Sequence, residues 1–325
     1  MTTVLTDQAV RRVPATAAEA CRVVGATPAE VLAAVSATGD GHAYLVGSLA
    51  VGLGDGHADI DVHVVSTDDD HPAGGPVLAF TPGGVCVDIR QLHRSDLDRV
   101  LGRVLGGHPD HCTRPAGRTA SWLASRWLNA LPLDGCAPPL LTGEQRALAG
   151  GLLVSSLLAD LTALVAFAVL AEHAGAGRAW YLCRRAGTAA WELAACLAGE
   201  NYLGARWLPA RSRHPRVAAL AAVACGASSG ADLDRVLGGL GLTRWGLLAR
   251  VHLRTNPEAE RWTLGGRSLL LVGGRRLVPR VAPLPATVAA AIGHDPAAVF
   301  AGLAGGALRW TVDVTGITPT LESMP

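Results

Sequence analysis

Three acidic residues stand where apolar residues dominate. Asp59 and Asp61 lie two apart at the start of the run Ile60–Val65, and Asp88 interrupts Val85-Cys86-Val87-Asp88-Ile89. Both runs read as β-strands, and residues i and i+2 of a strand project from one face. Asp59 and Asp61 therefore share a face, and Asp88 joins them if the two strands are neighbours. Clustered carboxylates repel one another unless cations sit between them. Mg²⁺ is typically held by one or two carboxylates together with substrate phosphates. Two such ions can clamp the attacking and leaving oxygens of an in-line phosphoryl displacement.

The elements that must position these groups lie in Leu45–Asp61, read with Cys86–Arg90. Ala43–Val46 is a short apolar run that reads as a buried strand, and Gly47-Ser48 follows it at once. Glycine lets the backbone approach a phosphate closely. Exposed N–H groups in such a turn, at the start of a helix, make an anion site. Taken singly, a Gly-Ser is a turn and an Asp-x-Asp is a solvated strand edge. The ordered set is more specific: strand, Gly-Ser, ten residues, Asp-hydrophobic-Asp, then a distant hydrophobic-Asp-hydrophobic.

That set resembles the DNA polymerase β-type nucleotidyltransferase superfamily, through Gly47-Ser48, Asp59-Ile60-Asp61 and Asp88, over about residues 40–92. The resemblance implies that Gly47 and Ser48 hold a triphosphate, that Asp59 and Asp61 bind two Mg²⁺ ions, and that Asp88 completes the site. It implies transfer of a nucleoside monophosphate from an NTP, with ATP the expected donor, to an acceptor oxygen. Two positions depart from the family pattern. Val51 stands where many members have Arg, and Ala58 where a Ser often precedes the first Asp.

Composition bounds the alternatives. Half of the 325 residues are apolar, 17% are charged, mean hydropathy is +0.30 and net charge is +1. Such a chain can bury a large core and is not disordered. It lacks the basic excess of a broad nucleic-acid surface, so no nucleic-acid partner is expected. There is no Lys; every cation is Arg or His, which fits the coding bias of a GC-rich bacterial genome. Arg184 and Arg185, then Arg206, belong to the richest basic stretches and are candidates for the phosphate charge that Val51 does not supply. The alternative for each is a solvated, salt-bridged face. Arg90, two residues beyond Asp88, is expected to pair with a carboxylate.

The seven cysteines show no metal-ligand spacing and read as reduced, mostly buried residues. The N-terminus lacks the apolar core of a secretory signal, so a cytoplasmic site is expected. Leu148–Leu170 is long and apolar enough for a membrane span, but Asp160 sits at its middle, which favours a buried helix and no membrane. The triplet Asp68, Asp69 and Asp70 reads as a solvated turn.

In chain order, residues 1–15 read as a loose arm. Thr27-Pro28-Ala29-Glu30 reads as a capped helix start, for a helix ending at Gly39. Thr81-Pro82-Gly83-Gly84 turns a hairpin whose second arm carries Asp88. Strand signals then vanish until about residue 261. Thr142-Gly143-Glu144-Gln145 starts the long apolar helix, and Ala179–Leu197 is another. The eight Trp residues read as core. Beyond Pro257, strands turn at Gly265-Gly266 and Gly273-Gly274 and two short helices follow.

The expected fold is α+β. A small mixed-sheet nucleotidyltransferase core (1–112) is followed by an all-helical acceptor-binding domain (113–256) and a small α+β module, winged-helix-like in pattern (257–325). The expected function is Mg²⁺-dependent nucleotidyl transfer to a hydroxyl of a small molecule, in natural-product biosynthesis or antibiotic modification. The alternatives are a peptide or protein acceptor, gripped by the C-terminal module, and a non-catalytic nucleotide-binding scaffold.

Overall fold

The computed structural model describes residues 13–36, 41–66, 75–105, 115–135, 137–274 and 276–321. Asp68–Asp70, Gly39, Cys112, Cys136 and most of the N-terminal arm lie outside the described residues. The protein is a mixed α+β chain that divides into two compact units. The first gathers Met1–His108, Thr119–Leu153 and Glu200–Arg211; the second gathers Pro109–Arg118, Val154–Gly199 and Ser212–Pro325.

The first unit opens with α1 (Ala17–Arg22) and α2 (Pro28–Ser36), then β1 (His42–Val46), α3 (Gly47–Ala50), β2 (Ile60–Ser66), β3 (Val77–Phe80) and β4 (Cys86–His93). The helices α4 (Arg94–Leu105) and α5 (Pro115–Trp127) and the short β5 (Leu131–Pro132) follow, and α6 (Gly143–His173) begins in this unit. The strands form one sheet in the order β3-β4-β2-β1-β5, with β2 and β4 parallel and the other neighbours antiparallel.

Alternation sorts the sheet's two faces. On one, Ala43, Leu45, Ile60, Val62, Val64, Val87 and Ile89 pack with Cys21, Val31 and Val35 of α1 and α2 in a continuous core. Each fully buried Val, Leu or Ile there contributes roughly 1.5–3 kcal/mol. On the other face stand Tyr44, Asp61, His63, Asp88 and Arg90. The sheet is therefore apolar beneath and polar above.

Local signals explain several boundaries. Glu30 accepts from the Thr27 backbone N–H at 2.8 Å while the Thr27 hydroxyl accepts from the Glu30 N–H, the reciprocal cap expected for α2. Thr142 and Gln145 do the same at the start of α6. Gly84, at φ +80°, closes the β3–β4 hairpin by donating to the Thr81 carbonyl at 2.8 Å.

In the second unit, α6 continues, followed by α7 (Ala179–Leu197). A 3-10 turn, Ala205–Trp207, and α8 (Leu208–Arg211) return the chain to the first unit. The second unit resumes with α9 (Pro215–Gly226), α10 (Gly230–Gly238) and α11 (Arg244–Leu248). Then come β6 (Val251–Thr255), β7 (Glu260–Leu264), β8 (Arg267–Val272), β9 (Arg276–Pro279), α12 (Val288–Ile292), α13 (Pro296–Ala304) and β10 (Leu308–Val312). The strands β7, β8 and β9 form a meander, and β6 pairs antiparallel with β10. Gly265 and Gly266, both at positive φ, form the two-residue turn between β7 and β8.

Two strands correct the expectation of helix alone before residue 261. β5 is only two residues long and contains Pro132, so it carries no strand pattern, yet it pairs with β1. β6 begins six residues ahead of position 257; its alternation of buried and exposed residues is short and follows a helix directly. The Trp residues also divide differently from the core expectation. Trp127 and Trp191 are buried, whereas Trp122, Trp180, Trp245 and Trp262 are exposed. Of the described cysteines, Cys21, Cys183 and Cys196 are buried, Cys86 is half-buried and Cys225 is exposed, all as free thiols. The helix α6 is long and apolar enough to cross a membrane, and most of its apolar window is buried within the protein.

Packing between α7 and α9 rests on one missing side chain. A Cβ on Gly187 would lie 2.5 Å from the Ala224 carbonyl oxygen. That neighbour is backbone and cannot turn aside. Gly187→Ala is therefore expected to cost about 1–3 kcal/mol through forced separation of the two helices, measured as a lowered denaturation midpoint in urea.

Candidate functional site

The polar face of the sheet carries the acidic residues in register. Asp61 of β2 is the direct partner of Asp88 on the parallel neighbour β4. Paired residues on adjacent strands project to the same side. Asp59 precedes β2 by one residue, and both it and Asp88 act electrostatically on Asp61. Burial pushes the Asp61 carboxyl above its usual range, and the two neighbouring acids add to the rise. The Arg126 guanidinium opposes it.

Gly47 makes this approach possible. It sits at φ +82°, and a Cβ there would fall 2.0 Å from Asp61 Oδ2. The chain after α3 then curls back: the N–H groups of Leu53 and Gly54 donate to the Ser48 carbonyl at 2.9 and 3.2 Å. This brings Asp55, His57 and Asp59 around to Ser48. A cleft of about 350 Å³ results, lined among others by Ser48, Asp55, His57, Asp59, Asp61, Arg126, Tyr202, Arg206 and Trp207. That volume suits a small ligand.

Arg126 is the cation at the centre. Its Nη1 lies 2.9 Å from Asp61 Oδ1, with both side chains largely shielded. Its guanidinium stacks on Trp122, 3.9 Å from the ring centroid. Its Nε is buried with no hydrogen-bond partner. The ion pair expected for Arg90 is thus made to Asp61 by Arg126, while Arg90 lies 6.0 Å from the same Trp122 ring.

Two residues beyond Asp61 on the same face, His63 is 2% exposed and its Nδ1 accepts from Trp127 Nε1 at 3.2 Å. Burial, with Arg126 and Arg90 nearby, pushes its pKa down to about 3. It is neutral and buried on the same face of the sheet as Asp61, and α5 is pinned to the sheet through it.

Of the residues singled out in the sequence, Ser48, Asp59, Asp61 and Arg206 line the cleft, Gly47 abuts Asp61, and Asp88 stands beside Asp61 on the sheet. Arg206 lies 4.7 Å from the Trp207 ring centroid. Arg184 and Arg185 are exposed on α7, in the second unit, and do not line this cleft. Sequence reasoning missed Arg126, Tyr202 and Trp207 as site residues. For Arg126 the available signal was its position one helical turn after Trp122, on the face of α5 that meets the sheet.

The donor set has the chemistry of a hard-cation site: three carboxylates, two of them in register on neighbouring strands. Among the described residues, however, no three His, Cys, Asp or Glu side chains are arranged to hold a metal ion. No protein-family model matches the chain, and no curated protein matches it.

The histidine supplies a pH test. Its folded-state pKa lies below the ordinary 6.5, so its neutral form stabilises the fold above pH 6.5 and that stability drains away as pH falls toward about 3. The expected slope in this window is about 1.4 kcal/mol per pH unit. His63→Gln, which can still accept from Trp127, is expected to flatten the curve of urea midpoint against pH between 6.5 and 4.

Proposed function

We propose that the protein is a nucleotidyltransferase that moves a nucleoside monophosphate from an NTP, ATP in the first instance, to a hydroxyl of a small molecule. The observation that carries this reading is the parallel register of Asp61 with Asp88, beside Asp59 and over Gly47. The same four residues, with Ser48, support the resemblance to the polymerase β-type superfamily.

In this reading Asp61 and Asp88, in register on β2 and β4, would hold Mg²⁺ together with the substrate phosphates, with Asp59 as the further candidate ligand, and the ion would supply charge neutralisation at the transferring phosphate. The remaining work falls to the chain itself. Ser48, which follows Gly47 at the start of α3, lines the cleft and would meet a phosphate oxygen there. Arg126 takes the role of the arginine that Val51 does not provide. It is the cation nearest to Asp61, is held flat by Trp122, and keeps an unpaired buried N–H. Tyr202 and Trp207 offer an aromatic wall to the base. Asp88 accepts the proton of the attacking hydroxyl. The acceptor oxygen bonds to the α-phosphorus as the bond to pyrophosphate breaks. Most of the acceleration comes from positioning and fixed charge.

The test is incubation with each NTP and Mg²⁺ in the presence of a cell extract, with mass spectrometry of products. Asp59→Asn and Asp61→Asn are each expected to retain the circular-dichroism spectrum and lose roughly 10²–10³-fold or more in transfer, the scale of removing one preorganised electrostatic group. Undiminished transfer in either variant sinks the assignment.

A peptide acceptor is supported by one separate observation. Glu260, Trp262 and Leu264 of β7 share a sheet face with Leu269 and Leu271 of β8 and Leu277 of β9. On that face Trp262, Leu264 and Leu277 are about half exposed or more. Such a patch is unusual on a surface with no partner, and it supports the winged-helix-like module as a grip. Truncation at residue 257 would strand β6 without β10, so the sharper test is Trp262→Ser with Leu264→Ser. Loss of transfer to a peptide, with transfer to a small acceptor spared, is expected under this second reading.

A further inference from the structure

β3 is an edge strand whose two faces differ in a way the core does not require. Ala79 packs against the core beneath the sheet. Leu78 and Phe80 are 66% and 64% exposed. The register sets Leu78 directly opposite Asp88 and Phe80 opposite Cys86, so both project from the face that carries the carboxylates. Across the sheet, Val46, Asp61, Asp88 and Leu78 form a single row. The cleft with Ser48 and Tyr202 lies against the Asp59 and Asp61 end of this row, and neither Asp88 nor any residue of β3 lines it. The other end of the row is an apolar step.

We propose that Leu78 and Phe80 seat the carbon skeleton of the acceptor, and that the acceptor is an alcohol borne on an apolar body. This rests on the nucleotidyl-transfer reading above. The nucleotide then occupies the cleft, the carboxylate row separates the two substrates, and the hydroxyl reaches the α-phosphorus from the β3 side. Its oxygen forms the new bond to phosphorus, the bond to the pyrophosphate oxygen breaks with its electron pair, and the proton passes to Asp88. A polyhydroxylated or strongly charged acceptor would leave both side chains in water, whereas an alkyl or aryl body would cover them. The occupant is fixed by adjacency: the step abuts the one carboxylate that the cleft leaves uncovered.

Simple n-alkanols serve as the probe. The whole protein is supplied with ATP, Mg²⁺ and ethanol, butanol or hexanol, and the alkyl ester of AMP is quantified by mass spectrometry. ATP affinity is measured by calorimetry with and without Mg²⁺. The specificity constant for the alcohol is expected to rise about three- to fourfold per methylene, the ratio that burial of a CH₂ supports. In Leu78→Ser/Phe80→Ser most of that rise is expected to vanish while ATP affinity holds. Equal specificity for all three alcohols, a rise that the double variant retains, or Mg²⁺-dependent ATP binding with no alkyl product each overturns the acceptor seat and leaves the nucleotide reading standing. Absence of both ATP binding and transfer overturns the nucleotide reading itself, and the seat with it.

Discussion

Two carboxylates side by side on neighbouring parallel strands are an electrostatic liability, and much of the first unit is arranged around it. The pairing of Asp61 with Asp88 follows from the β2–β4 register, which is itself set by the apolar face below. Ile60, Val62 and Val64 meet Val87 and Ile89 in the core, and a slip of one residue would turn every carboxylate into it. Hydrophobic burial thus fixes the acids in place against their own repulsion. Arg126 offsets part of the charge, and its reach depends on α5, which is held down by the buried Trp127–His63 hydrogen bond. The site thus holds its acids in a strained electrostatic balance, the kind of environment in which functional groups cluster.

Much of this was legible from residue order. The strand, the Gly-Ser bend and the three acids are contiguous patterns of period two interrupted by glycine, and such patterns report local structure directly. Gly47 has a role its place in the motif did not announce: the space left by its missing side chain is taken by the Asp61 carboxylate. The caps at Thr27 and Thr142 and the glycine turn at Gly265-Gly266 were equally local. Arg126, Tyr202 and Trp207 were not legible, because their roles depend on where a helix and a later loop come to rest. Nothing in the spacing between positions 61 and 126 encodes a 2.9 Å ion pair. The strands β5 and β6 were not legible for a related reason, since two- and five-residue strands acquire their identity from partners far along the chain.

The division of the chain into units shows the same limit on a larger scale. Composition changes near residue 112, and a linear reading places a boundary there. The contacts instead return Thr119–Leu153 and Glu200–Arg211 to the first unit. These segments deliver the residues that the Gly-Ser motif lacks, namely a guanidinium from α5 and an aromatic wall from the stretch before α8. Motif inspection alone therefore underestimates the site's positive charge, since Arg126 reaches Asp61 from α5 and not from the Gly-Ser segment.

The anchoring of α5 has a consequence for time as well as for place. Its last residue is tied to β2 through Trp127 and His63, and within a few residues the chain enters β5 and pairs with β1. A helix secured to two strands at one end is poorly suited to swinging as a rigid body on the microsecond-to-millisecond scale of domain closure. Any reorientation of Arg126 relative to Asp61 then falls to its own side-chain torsions, and the ion pair and the packing on Trp122 restrain those as well.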